Sequence, residues 1–278
     1  MKSNREVPEL LEINRERQAA LDRLLALRYS AVALKLTEDD AETYAGAERP
    51  MTDWGKHISL CQAFAYARRQ GKVLHMHRED EWCWSPLMNF GLAERGPGSV
   101  AFEEKTRTIG IADPEKAAAF VEALPHYPMN LRRGMLIAPL PKADFAPDAL
   151  LIYAINPQLR LMLMAVNSQT GETIPSSFTP LESCIFSVIP AIQNGEYRVT
   201  LPDPGEYERA LTAEDQIIFT VPAQRMEEFF SGVAYLLSRG KSQASYYPMM
   251  APEFDRPPFY NRVFASWGLA TGAEWDKK

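Results

Sequence analysis

The chain has 278 residues, 46% of them hydrophobic and 24% charged, with a formal net charge of −6 and a pI near 5.4. That length builds one large domain or two of ordinary size. The acidic balance, without clustered Lys and Arg, argues against a nucleic-acid surface, and no apolar run approaches the roughly 18–20 residues of a membrane span.

The N-terminus, MKSNREVPELLEINRER, is polar and lacks a signal-peptide apolar region, so a cytoplasmic location is expected. Pro8 to Leu27 reads as a helix with a broken apolar stripe of Leu10, Ile13, Leu21, Leu24 and Leu25. Ala31 to Leu36 is an expected strand, and 42–56 reads as irregular. Ser59 with Gln62 is a capping-box pattern that starts a helix, with Arg68 and Arg69 suited to its C-terminus and Gly71 as its stop. Cys61 then falls in the first turn, where free N–H groups and the helix dipole favour a thiolate. Val73 to His77 follow as a short strand, and Cys83 lies in a loop between Trp82 and Trp84.

Val100–Phe102 and Thr106–Ile111 read as short strands, and Asp113-Pro114 opens a helix through Leu124. Gly134 to Leu140 is a strand. Asp148 to Asn156 is a continuous apolar strand of the type buried on both faces. Pro157 starts a helix, and Thr179-Pro-Leu-Glu182 is a second capping box for a helix that carries Cys184 and Pro190 and ends near Asn194-Gly195. Tyr197–Leu201 and Gln216–Val221 are strands, and Ala223 to Leu237 is a helix. From Ser242 the chain is rich in Tyr, Pro, Met and Phe, with loop chemistry and much apolar area.

The two halves read alike. Strand, cysteine-bearing helix, glycine, strand, strand and proline-started helix occur as Ala31–Leu36, Cys61, Gly71, Val73–His77, Thr106–Ile111 and Pro114. They recur as Asp148–Ile155, Cys184, Gly195, Tyr197–Leu201, Gln216–Val221 and Pro222. A period on the order of 110–125 residues is that of a duplicated supersecondary unit rather than a short solenoid repeat. The expectation is an α/β or α+β fold, a mixed sheet flanked by helices, with two similar halves as one reading of it. Its parts are an N-terminal helix at 1–28, a core at 29–241 with candidate repeats 29–126 and 134–241, and a C-terminal strap at 242–278.

Several stretches resemble domain-of-unknown-function family 169, an uncharacterised bacterial and archaeal family. They are Ala31-VALKL-Leu36, Cys61-QAFAYARRQGKV-Val73, Cys83 followed by Phe90-Gly91-Leu92, Leu136-IAPLPKADFAPDALLIY-Tyr153, Ser183-Cys184 and Phe219 to Phe230. The similarity covers roughly residues 25 to 240, and the order and spacing of the motifs are what make it specific. Family members resemble one another in a further cysteine within a Gly-Cys-Tyr-Gly pattern. Here the matching region, Pro202 to Arg209, has none. The resemblance implies a fold and draws attention to Cys61, Cys83 and Cys184; it implies no activity.

Three cysteines fit no disulfide framework. If they converge, with Trp82 and Trp84 beside Cys83, they form a ligand or redox site. With a histidine they supply a donor set for zinc or an iron–sulfur cluster, although no Cys-x-x-Cys spacing exists. Each can also be a small buried hydrophobe. His75, His77 and Glu79 alternate, so on a strand they share a face and present ligand types suited to Zn or Fe. Trp82, Trp84, Phe90 and Trp54 could line a stacking pocket, and Arg132-Arg133-Gly134 could bind an anion. There is no GxSxG, HExxH, Walker or dinucleotide motif. The expected function is a small-molecule, metal or redox-cofactor binding accessory protein, partnered by a small molecule or redox partner and forming a homo-oligomer. The alternatives are an enzyme with a reactive cysteine and His75 or His77 as base, and a structural oligomer-forming subunit.

Overall fold

Six strands build one sheet: β1 (Val32–Thr37), β2 (Leu74–His77), β3 (Gly134–Pro139), β4 (Ala149–Ile155), β5 (Arg198–Thr200) and β6 (Gln216–Pro222). Their order is β2-β3-β1-β4-β6-β5, and every pairing is antiparallel. The sheet is therefore not mixed as expected: each strand's partner runs against it, including the central pair. The computed structural model describes residues 6–38, 44, 46–176, 178–243 and 260–268. Residues up to 243 form one compact unit.

The strands are nearly continuous apolar runs because helices cover both faces. Val32, Leu34, Leu36, Leu74, Met76, Met135, Ile137, Ala149, Leu151, Tyr153 and Ile218 face α3 (Leu60–Gln70) and α8 (Ser183–Asn194), and form one core with Phe64, Cys184, Ile185 and Val188. The opposite face packs on α1 (Glu6–Leu25), α7 (Asn156–Thr170) and α10 (Met226–Ser238). There Phe219 lies 5.8 Å from the Phe229 ring. Asn14 of α1 is fully buried and donates to the Ala143 and Phe145 carbonyls at 2.9 and 3.2 Å, which fixes the β3–β4 connection. Helices α7 and α10 meet at Gly232, where a Cβ would fall on the Ala165 carbonyl.

Shorter helices complete the unit: α2 (Pro50–Trp54), α4 (Trp84–Asn89), α5 (Val100–Thr108), α6 (Pro114–Glu122) and α9 (Pro204–Arg209). Helix α5 replaces the two strands expected at Val100–Phe102 and Thr106–Ile111. Ser99 accepts the Phe102 N–H at 3.3 Å, and this cap outweighs the β-branched residues around it. Farther along the chain, α11 (Tyr260–Ser266) is a two-turn helix described by itself; the rest of the expected strap at 242–278 lies almost wholly outside the described residues.

The sheet order reads the same from either edge when the halves are matched. β1, β3 and β2 run outward on one side, and β4, β6 and β5 on the other. In each half a helix with cysteine at its second position links the central strand to the edge strand, α3 with Cys61 and α8 with Cys184. Each ends on a left-handed glycine, Gly71 at φ 69° and Gly195 at φ 64°, a conformation glycine adopts without Cβ strain. The correspondence is one of topology, and it uses β3 where the sequence suggested Thr106–Ile111.

Candidate functional site

A cavity of about 150 Å³ lies where four helices begin. Helix α3 contributes Ser59, Leu60 and Cys61; α4 contributes Cys83, Ser85 and Pro86; α8 contributes Glu182 and Cys184; α9 contributes Asp203, Pro204 and Gly205. Lys105, Thr108, Ile109, Leu181 and Arg209 close the wall. All three cysteines of the chain thus line one space, from positions 22 and 101 residues apart along the chain.

Local sequence places each of them. The Ser59 capping box forms as expected: Ser59 N–H donates to Gln62 Oε1 at 2.8 Å, and Gln62 N–H to Ser59 Oγ at 3.4 Å. This sets Cys61 on the first turn of α3, its Sγ 3.0 Å from Ser59 Oγ and donating to the Gly205 carbonyl at 3.6 Å. Cys83 is the N-cap residue of α4 and only half-buried. Cys184 sits on the first turn of α8, but the expected Thr179–Glu182 capping box does not form. Helix α8 begins at Ser183, and its cap is supplied from elsewhere: Asp203 Oδ2 accepts the Ser183 N–H at 2.8 Å. Glu182 is left-handed at φ 63°, a strained conformation for this residue. Its buried carboxylate accepts from Ser85 Oγ and pairs with Lys105.

The thiols are kept protonated. Burial pushes Cys61 up, with the Glu206 carboxylate adding to it and the Ser59 hydrogen bond opposing. The helix-start position was expected to favour a thiolate, but desolvation disfavours the charged form more than the helix dipole favours it. Burial, then Glu81, pushes Cys83 up to about 11. Cys184 is raised well above the usual range by burial, then by Asp203, Glu182 and the other two sulfurs.

Two buried carboxyls stand behind the cavity. Glu81 accepts the Cys83 N–H at 2.7 Å, yet burial pushes it up to about 8. Glu206 is fully buried, accepts from Tyr153 Oη at 2.8 Å and Thr212 Oγ1 at 2.7 Å, and is pushed by burial up to about 7. Arg68 lies 4.0 Å from the Tyr153 ring centre and donates to Thr212 Oγ1 at 2.8 Å. The charges on the cavity wall balance, Lys105 and Arg209 against Glu182 and Asp203.

The aromatic and histidine candidates lie elsewhere. Trp82 is 47% exposed, with the Arg209 guanidinium 4.9 Å over its ring; neither it nor the half-buried Trp84 lines the cavity. Phe90 is core, and Trp54 packs on Tyr66 at 5.0 Å, so the four aromatics form no stacking pocket. His75 and His77 do share a face, their rings 4.2 Å apart, but it is the face turned away from α3 and α8. Glu79 falls in the turn after β2 and pairs with Arg49 at 3.5 Å, so it does not join them, and neither histidine is a base for the cavity cysteines. Among the described residues, no three of His, Cys, Asp and Glu are arranged to hold a metal ion. The zinc and iron–sulfur expectation thus lacks a fitting donor set there. Arg132, expected to help bind an anion, pairs with Glu38.

Lys105, Glu182, Asp203 and Arg209 were not foreseen. Asp203-Pro204 repeats the Asp-Pro helix start read correctly at Asp113-Pro114, and that signal could have located α9. No helix of the described residues is long and apolar enough to cross a membrane. The model of an uncharacterised family, DUF169 (Uncharacterised ArCR), matches residues 20–232. No curated protein and no solved structure matches the chain.

Proposed function

The chain belongs to domain-of-unknown-function family 169, and on that premise we propose that it is a binding protein for a small molecule held in the three-cysteine cavity. The observation that carries this reading is the wall itself. Three thiols from distant segments, the buried, ion-paired Glu182 carboxylate, the half-buried capping Asp203 and two cations surround about 150 Å³. A cavity of that volume admits a molecule of about six heavy atoms. The balanced charges and protonated, polarisable sulfurs favour a neutral or softly polar ligand over a free polyanion. A small molecule is preferred to a metal ion or cluster because the donor geometry does not suit one.

A second reading, thiol chemistry at Cys83, draws support from Arg209, a cation on the same cavity wall that would stabilise a thiolate once formed.

The test is a thermal-shift screen of small compounds against wild type and a Cys61→Ser, Cys184→Ser double variant. A compound at 100 times its Kd stabilises the native state by about 2.7 kcal/mol. A hit that shifts wild type and not the variant supports the reading. Hits that shift both equally, or none across a broad library, overturn it.

A further inference from the structure

Arg209 belongs to two spaces at once. On one side it lines the cysteine cavity. On the other it lines a surface groove of about 140 Å³ with Gln62, Tyr66, Arg69, Gln70 and Leu211. It shares the cavity wall with Cys83, and its guanidinium is stacked on exposed Trp82, whose indole N–H donates to Gln62 Oε1 at 3.2 Å. The partition between the groove and the thiols is therefore one long, flexible side chain resting on a surface ring.

The two spaces differ in charge. Carboxylates balance the cations around the cavity, but the groove wall carries Arg69 and Arg209 and no acidic residue. Two guanidinium groups beside the amides of Gln62 and Gln70 form a donor-rich surface of the kind that recognises a carboxylate.

We infer that the groove is the carboxylate subsite of the cavity's ligand: the acid group docks on Arg69 and Arg209 while the rest of the molecule passes Arg209 to reach Cys83. This rests on the cavity being a ligand site, and it narrows the ligand to small carboxylic acids. Arg209 acts as a gate, giving up its place on the cavity wall beside Cys83 for a contact with the carboxylate. Glycine at 205 leaves room for this swing, since a Cβ there would sit 3.3 Å from Arg209 Cζ.

Two probes share one reactive head and differ only in the acid: iodoacetate and iodoacetamide. With either, the Cys83 sulfur forms the S–C bond as iodide leaves with the bonding electrons, and the thiol proton passes to solvent. The quantity read is the ratio of iodoacetate to iodoacetamide rates at Cys83, by peptide mass spectrometry at pH about 8, in native and in urea-unfolded protein. The expected native ratio exceeds the unfolded one by about ten-fold, the worth of one charge-assisted contact. Arg69→Gln, at the surface and outside the cavity wall, lowers it by several-fold, and Arg209→Gln abolishes the excess. A native ratio equal to the unfolded one, with Cys83 still labelled, overturns the groove and leaves the cavity reading standing. Failure of both reagents to label any native cysteine while both label the unfolded chain overturns the two together.

Discussion

Asp203 Oδ2 accepts the Ser183 N–H at 2.8 Å while Asp203 Oδ1 accepts the Glu206 N–H at 3.0 Å, so one carboxylate caps two helices. Both helices carry cavity wall on their first turns. Replacing Asp203→Ala is expected to cost about 2–3 kcal/mol, the loss of two caps at roughly 1 kcal/mol each plus an unsatisfied buried donor. Asp203→Asn should lose less, because its amide oxygen still accepts one of the bonds. Urea denaturation measures both; a loss under about 0.5 kcal/mol for the alanine variant would show that the helices are capped by other groups.

The two raised carboxyls set a pH dependence with a definite sign. Unfolded Glu81 and Glu206 ionise near 4.5, whereas in the native state they hold their protons up to about 8 and about 7. Between those values the native state binds more protons than the unfolded chain, so stability falls as pH rises through the window and levels off above it. Glu206→Gln should remove its share of that fall. At pH about 8 the variant should gain on the order of 1–3 kcal/mol relative to wild type, with a much smaller gain at pH about 5. Equal differences at both pH values would contradict the assignment.

Protonated thiols are slow nucleophiles. With Cys83 pushed up to about 11, its alkylation by iodoacetamide at pH about 7 should be tens-fold slower than that of a free thiol; the lost thiolate fraction outweighs the higher intrinsic nucleophilicity. Cys61 and Cys184, deeper and higher still, should react after it. Time-resolved labelling decides this: if any of the three outpaces free cysteine at neutral pH, a factor missing from the electrostatics holds its thiolate.

Gly232→Ala should cost about 3 kcal/mol or more, the upper range of overpacking, because the added methyl collides with backbone of α7 that cannot swing aside. A thermal melt of this variant near the wild-type midpoint would show that the α7–α10 contact yields.

What was legible in the sequence was local. The Ser59–Gln62 box, the Gly71 and Gly195 stops and the Asp113-Pro114 start are signals spanning a few residues, and each formed. So did the apolar runs of β1, β3, β4 and β6. What failed was decided through space. The start of α8 was misread because its cap comes from Asp203, twenty residues later. The region around Val100 was misread as strand because its β-branched residues obscured the Ser99 cap and the Lys105–Glu182 pair. The alternation of His75 and His77 predicted a shared face correctly but could not say which side of the sheet it was. That Cys61 and Cys184 could meet was readable from their matching helix positions, whereas Cys83 had no such counterpart; the charged residues around them left almost no trace in local pattern.

The central pair of the sheet is as short a join as its β5–β6 edge, three registered residues. β1 and β4 register over three residues, Val32 to Leu34 against Leu151 to Ala149, while β1–β3 spans six and β4–β6 seven. Beyond those three, the Asp148 side chain takes over, accepting the Leu36 N–H at 2.7 Å. A narrow join thus runs through the middle of the molecule as well as at one edge, and the cysteines straddle the middle one, two on one bank and one on the other. A guest held by all three sulfurs would also clamp the two banks together.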